Sequence, residues 1–192
     1  HNVGRVIDCL GELGVERNTL LFYTSDNGLL LGEHQMIGKG AALYEELVRV
    51  PLIMWWPGRI DRRGEIDALV SHLDIFPTVC GLVDLETPVG LPGRDLLPLL
   101  DGAASALRET LFFEYTYYVG KTALGAPTKP LRGLATRHYK YTDYHNQGEE
   151  LYDLRSDPHE MVNLIEDPAH KETAESLRQK LNTWRAQTGD VR

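Results

Sequence analysis

The stretch from Thr19 to Gly58, TLLFYTSDNGLLLGEHQMIGKGAALYEELVRVPLIMWWPG, places the strongest constraint on how this chain folds. It opens as a short apolar run rich in Leu, Phe and Tyr, the pattern of a strand buried on both faces. The run stops at Ser25-Asp26-Asn27-Gly28, which is turn chemistry. A carboxylate and a carboxamide therefore stand side by side where a buried strand ends, the edge at which open α/β sheets carry their sites. Further on, Gly38-Lys39-Gly40 sets a cation between two glycines, so that a backbone can approach closely. Two hard oxygen donors followed by a cation on a glycine-flanked loop suit an oxyanion ester.

Ahead of that strand, Val3, Val6, Ile7 and Leu10 predict a helix over about 2–13, with Gly14 as its stop. The chain begins on His1 already inside this pattern, so a piece of a longer polypeptide is expected. Helix, short loop and apolar strand make half of a βαβ unit and imply a parallel sheet whose other strands are mostly absent from this sequence. A short helix is expected around 41–46 and a second strand over 49–56, with Pro51 near its start. Asp74 and Pro77 suit a helix entry, and Ile75, Val79, Leu82 and Val83 give that helix an apolar face. One helical turn is expected near 96–100.

From residue 110 the texture changes. TLFFEY, LRGLATR, YKYTDYH and ELYDL read as short strands of an antiparallel sheet. Asp167-Pro168 then starts a last helix, with Ala174, Leu177, Leu181 and Trp184 spaced three, four and three and Gly189 at its end. The expected fold is α/β for residues 1–105, then a small C-terminal antiparallel sheet with a packed helix over 106–192.

The net charge of −8 argues against a nucleic-acid partner or a membrane surface. No apolar run approaches the length of a membrane span, and no signal-peptide pattern opens the chain. Cys9 and Cys80 both lie in apolar, helical-looking contexts and read as two buried free thiols. There is no CxxC and no Cys/His zinc spacing.

In order and spacing, TSDNG, LGEH, GKG, LYEE and RVPLIMWWPGRI resemble the second half of a sulfatase of the alkaline-phosphatase-like superfamily. VSHLDIFPT, LPGRDLLPLL, RHYKY and ELYDLRSDPHEMVNL continue the same pattern, so the resemblance covers essentially the whole chain. It implies part of an alkaline-phosphatase-like α/β sandwich, with residues 1–105 as the C-terminal part of the catalytic domain. Sulfatases carry a Cys-x-Pro-x-Arg or similar motif whose Cys or Ser becomes a formylglycine nucleophile. Neither CLGEL at Cys9 nor CGLVD at Cys80 has that context. The resemblance thus implies a nucleophile and further acidic metal ligands upstream, in an N-terminal part of the same enzyme, and little turnover by this polypeptide alone. It also implies a formylglycine hydrate that attacks sulfur, departure of the alcohol, and elimination of the covalent sulfate to restore the aldehyde. Exported, periplasmic or lysosomal placement is common in the family, and the sequence does not choose among these and the cytoplasm.

Asp26 and Asn27 supply oxygens of the kind that Ca²⁺ or Mg²⁺ prefers, although Asp-Asn-Gly is also favourable as an Asx turn. The resemblance makes them metal ligands, of Ca²⁺ in the first instance. Lys39 is either a solvated loop lysine or a cation fixed beside developing sulfuryl charge, and the resemblance favours the second, as a catalytic and sulfate-binding residue. His34 either protonates a leaving group or hydrogen-bonds within its own loop. Glu33, Glu45 and Glu46 read as capping or pairing residues, one of them a partner for Arg49, and Asp74 as a helix cap. Tyr117, Tyr118 and Lys121, on the longest insertion, suit the entrance for a sugar or aryl group. The expected ligand is a sulfate-ester small molecule or a sulfated sugar. The rival readings are a phosphodiesterase or phosphonate monoester hydrolase of the same superfamily and a non-catalytic module that binds sulfated ligands.

Overall fold

A computed structural model of the chain describes residues 1–115, 130–145 and 147–190. Its elements in chain order are α1 (Asn2–Glu12), β1 (Leu21–Thr24), β2 (Leu30–Leu31), β3 (Ile37–Gly38), α2 (Glu45–Val48), β4 (Leu52–Trp55), α3 (Ile75–Leu82), α4 (Leu97–Leu100), β5 (Leu111–Tyr115), β6 (Leu131–Ala135), β7 (Tyr139–Asp143), β8 (Glu149–Asp153) and α5 (Lys171–Thr188). They fall into two units, His1–Asp26 with Val50–Arg108 and Asn27–Arg49 with Glu109–Arg192. Residues 27–49, which a linear division assigns to the first part, pack with the second.

In the first unit β1 and β4 form an antiparallel ribbon, with Leu21 opposite Trp55 and Thr24 opposite Leu52. β4 is not one of the parallel neighbours expected for β1, most of which are expected outside this sequence. Among the described residues β1 pairs with β4 only, because the chain runs back along β1 after α2. Nor is β1 buried on both faces: its Tyr23 and the facing Ile53 leave 44% and 53% of their surface open. Apolar composition marks a strand but encodes neither the direction of its neighbour nor which face is covered. α1 forms where its spacing predicts, yet none of its residues is fully buried. Both cysteines are free; Cys80 is buried as expected, whereas Cys9, on α1, is exposed.

α3 is entered through a capping box between Ser71 and Asp74, in which Asp74 Oδ2 accepts from the Ser71 amide at 2.7 Å. Asp74 does more than cap. It is wholly buried, and its oxygens also accept from Arg108 Nη1 and Nη2 at 2.6 and 2.5 Å and from the Arg94 amide at 2.8 Å. Thr78 Oγ1 accepts from the Leu96 amide at 3.0 Å, which draws the α4 turn onto α3, and Leu82, Leu96 and Leu99 are buried in this unit.

The second unit holds a four-stranded antiparallel sheet in the order β5-β6-β7-β8. α5 covers it: Ala174, Leu177 and Leu181 form one buried cluster with Leu134, Tyr141 and Leu151. Each large apolar side chain in such a cluster contributes about 1.5–3 kcal/mol, so the three-four-three spacing is where the energy of this helix lies. Trp184 extends the stripe and stacks on Phe112, with ring centres 4.9 Å apart. Asp167 accepts from the Ala169 amide at 2.9 Å ahead of α5, and Gly189 ends the helix in the left-handed region.

Residues 27–49 lie against this sheet. β2 and β3 make a two-residue hairpin, and Leu30 is buried with Ala42 and Leu47. A methyl at Gly133 of β6 would sit 2.5 Å from Leu43 Cδ1, so the loop packs directly on the strand. The helix expected around 41–46 starts later, at Glu45, and Arg49 pairs with Glu45 one turn back at 3.7 Å. Tyr117, Tyr118 and Lys121 lie outside the described residues.

Candidate active site

Asp26 follows the end of β1 in the first unit and is exposed; the Ser25 hydroxyl approaches its Oδ1 at 3.5 Å. His72 Nε2 lies 3.0 Å from Thr24 Oγ1, the last residue of that strand. Asn27 belongs to the second unit. Its Nδ2 donates to the Gly28 carbonyl at 2.7 Å, which turns its Oδ1 toward the Lys39 ammonium at 3.2 Å. A donor twelve residues away therefore meets the carboxamide oxygen.

Two glycines permit this. The Gly28 amide donates to the Leu47 carbonyl at 2.8 Å, and a methyl on Gly28 would lie 1.8 Å from the Glu46 carbonyl oxygen. The Asn27 turn is thus clasped to the backbone of α2, at a distance that only glycine allows. Gly38 has φ 101°, left-handed backbone that swings the chain from β3 into Lys39. Gly40, by contrast, has room for a methyl.

His34 sits in the Glu33–Gln35 turn with φ 51°. Its ring stacks on Tyr44, centres 3.6 Å apart and planes within 6°, and its Nε2 lies 4.0 Å from Glu46 Oε2. Only 10% of the side chain is exposed. The structure therefore joins Asn27 with Lys39, and His34 with Tyr44 and Glu46. Beside His34, Glu33 accepts from the Leu31 amide at 2.5 Å, and that bond holds its carboxyl below the usual range.

The support beneath this loop is polar and closed in. Tyr44 and Tyr144 donate to the two oxygens of Glu150 at 3.2 and 2.8 Å. Burial, reinforced by the Glu150 charge, pushes the Tyr44, Tyr144 and Tyr152 hydroxyls upward, so all three stay protonated. Glu160, wholly buried, accepts from the Glu45 amide at 2.6 Å. The Lys140 ammonium, 1% exposed, lies 2.6 Å from Glu45 and 3.0 Å from Glu160. In the sequence Glu45 stands out as a pairing residue, whereas Lys140 and Glu160 do not. A lysine in a strand reads as solvent-facing, and only its alternation with Tyr139 and Tyr141 marks it as belonging to one face of β7.

The donor set fits a hard divalent cation in part. Asn27 presents an oxygen, not its amide nitrogen, toward positive charge, and Asp26 adds a carboxylate next to it in sequence. Two oxygens suit Ca²⁺ or Mg²⁺ better than zinc but are a fraction of the six to eight that Ca²⁺ takes. Among the described residues no group of three or more His, Cys, Asp or Glu is placed to hold a metal.

Residues 32–187 match the family model of the N-sulphoglucosamine sulphohydrolase C-terminal region. The chain is 38% identical to the uncharacterized sulfatase YidJ of Escherichia coli (strain K12), over 86% of this chain and 31% of that protein. The solved structure of BT4656, in complex with its substrate D-glucosamine-2-N,6-O-disulfate, matches with a TM-score of 0.86 at 29% identity, over 99% of this chain and 38% of the other. The phosphonate monoester hydrolase of Agrobacterium radiobacter matches with a TM-score of 0.82 at 29% identity, over 96% and 38%. The chain spans about a third of the length of the curated relatives it matches (31%, 38% and 34% for three of them).

Proposed function

The chain belongs to the sulfatase family of the alkaline-phosphatase-like superfamily, matching its C-terminal portion, and on that premise we propose that it forms part of a metal-dependent sulfuric ester hydrolase. The observation that carries this reading is the 3.2 Å contact between Lys39 and Asn27, which sets a cation beside a hard oxygen donor. In the proposed site Asp26 and Asn27 are two ligands of a Ca²⁺ ion, with Mg²⁺ the alternative, and the remaining ligands and a formylglycine nucleophile come from residues outside this sequence. The ion when bound supplies positive charge that polarises the sulfuryl group.

Lys39 supplies a second, fixed positive charge at the sulfate oxygens, where charge builds in the transition state. The Gly28 clasp and the Asn27 contact hold that ammonium in place before substrate arrives. His34, nine-tenths shut in against Tyr44 and facing Glu46, fits support of the loop better than proton donation to a leaving oxygen. The substrate class we propose is a sulfated sugar, the chemistry of the ligand bound by BT4656.

The test uses the full-length enzyme that contains this chain, with an aryl sulfate, a sulfated glucosamine and an aryl phosphodiester side by side. Lys39→Ala is expected to lower kcat on the sulfates about 10²–10³-fold, as loss of one oxyanion donor does. Asp26→Ala should lose divalent-metal dependence together with activity. Wild-type rates in either variant overturn the assignment of that residue. The likeness to phosphonate monoester hydrolase supports a second reading, which faster turnover of the phosphodiester would favour.

A further inference from the structure

We propose that Glu160 is a positioning residue for the Asn27–Lys39 loop and that it acts through the reach of its side chain rather than through its charge. This rests on the reading of Asn27 and Lys39 as half of a metal and sulfate site.

One run of bonds inside the second unit links Glu160 to this loop. Glu160 sits on the turn after β8 with φ 54°, and its amide donates to the Asp157 carbonyl at 3.1 Å. The turn points its side chain inward, where it is completely buried. There Oε2 accepts from the amide of Glu45, the first residue of α2, at 2.6 Å. This helix has no side-chain cap of its own. A carboxylate 115 residues away in sequence therefore does the work of an N-cap. Two residues along α2, the Leu47 carbonyl takes the Gly28 amide at 2.8 Å, and the Glu46 carbonyl stands where any Cβ on Gly28 would be. Asn27, adjoining Gly28, presents its oxygen to Lys39. Moving α2 therefore moves the carboxamide and the ammonium that faces it.

The charges in the same pocket allow reach and charge to be separated. Lys140 lies between two carboxylates, Glu45 at 2.6 Å and Glu160 at 3.0 Å. One cation against two anions leaves a surplus of negative charge. Burial pushes the Glu160 carboxyl above its ordinary range, against the pull of Lys140. Glu160→Gln removes that charge and keeps one oxygen at the same reach for the Glu45 amide; its NH2 then takes the place of the oxygen that faces Lys140, which stays paired with Glu45. Shortening the side chain does the reverse.

The experiment compares Glu160→Gln, Glu160→Asp and Glu160→Ala in the full-length enzyme. It measures the Ca²⁺ dissociation constant by calorimetry, kcat and KM on an aryl sulfate, and the melting temperature in chelator. Wild-type Ca²⁺ binding and turnover are measured first; failure at that point overturns the metal-site reading itself, and with it the proposal. Given a working wild type, Glu160→Gln is expected to keep Ca²⁺ affinity and kcat near it while melting lower, because its NH2 meets the Lys140 ammonium, whereas Glu160→Ala weakens Ca²⁺ binding about 10–100-fold, as loss of a ligand's supporting partner does. Glu160→Asp, one methylene short, is expected to fall between them, with the loss in kcat exceeding any change in KM. Should Glu160→Ala not fold, the order of Gln and Asp decides. Glu160→Asp near wild type in Ca²⁺ affinity and kcat, with Glu160→Gln impaired in both, overturns the proposal in favour of charge balance. Unchanged Ca²⁺ affinity in the Asp variant, with a lowered melting temperature only, overturns it in favour of a structural role.

Discussion

Replacing Gly28 by alanine tests the clasp on which the candidate site depends. The new methyl would lie 1.8 Å from the Glu46 carbonyl oxygen, 2.8 Å from its carbon and 3.2 Å from Leu47 Cα. A carbon and a carbonyl oxygen tolerate about 3.3 Å, so the turn must retreat from α2 by roughly 1.5 Å. Backbone, not a flexible side-chain tip, stands in the way, and the retreat also breaks the Gly28–Leu47 hydrogen bond. Overpacking and the lost bond together cost about 2–4 kcal/mol. A 1 Å misplacement of a positioned group can lower turnover about 10²-fold, and Asn27 adjoins the displaced residue. The control is Gly40→Ala, on the far side of Lys39, where a methyl meets Met36 and Leu30 at 3.8 and 3.9 Å, ordinary contact distances. In the full-length enzyme, kcat/KM on an aryl sulfate and the urea midpoint should fall for Gly28→Ala and hold for Gly40→Ala. Wild-type values for Gly28→Ala, or equal losses in the two variants, would show that the clasp does not hold Asn27 in place.

Asp74→Ala strands Arg108, whose side chain is 9% exposed, and leaves the Ser71 and Arg94 amides without their acceptor. Breaking a buried pair in this way costs about 3–5 kcal/mol, against about 0–1 for a surface bridge, and a loss under 1 kcal/mol in urea denaturation would contradict the burial argument. Glu149 gives a pH signature: the Arg178 hydrogen bond lowers its carboxyl from 4.5. Its folded value thus lies below its unfolded one, so its stabilising contribution is present above about pH 4.5 and is lost as pH falls through the folded value. Wild type and Glu149→Gln should therefore differ most in stability near neutrality and converge in acid; a gap that widens on acidification would reverse the sign.

Features that repeat locally were legible in the sequence. The helical spacing of Ala174, Leu177 and Leu181 needs only the period of α5 to be read, and all three are buried. The four β segments after residue 110 appear as strands at the expected places. Asn27 and Lys39 each stand out in the sequence by motif, whereas the hydrogen bond between them does not. What escaped depends on partners distant along the chain. Nothing near Asp74 announces Arg108, 34 residues on, and nothing near Glu160 announces Glu45. The direction of β1 pairing and the open Tyr23–Ile53 face escaped for a related reason, since composition reports burial averaged over a strand and not which neighbour supplies it.

The 115-residue interval between Glu45 and Glu160 also has a consequence in time. Chains are synthesised at about 5–20 residues per second, so α2 leaves the ribosome roughly 6–23 s before the carboxylate that caps it exists. Lys140 and the β6 strand on which Leu43 rests arrive in the same interval. Through that interval the stretch carrying Asn27 and Lys39 has its own small apolar cluster but lacks the strand, the lysine and the carboxylate that it packs on in the second unit. It emerges before the elements that cover it in the second unit, so a nascent-chain protease or a holdase would meet it without them.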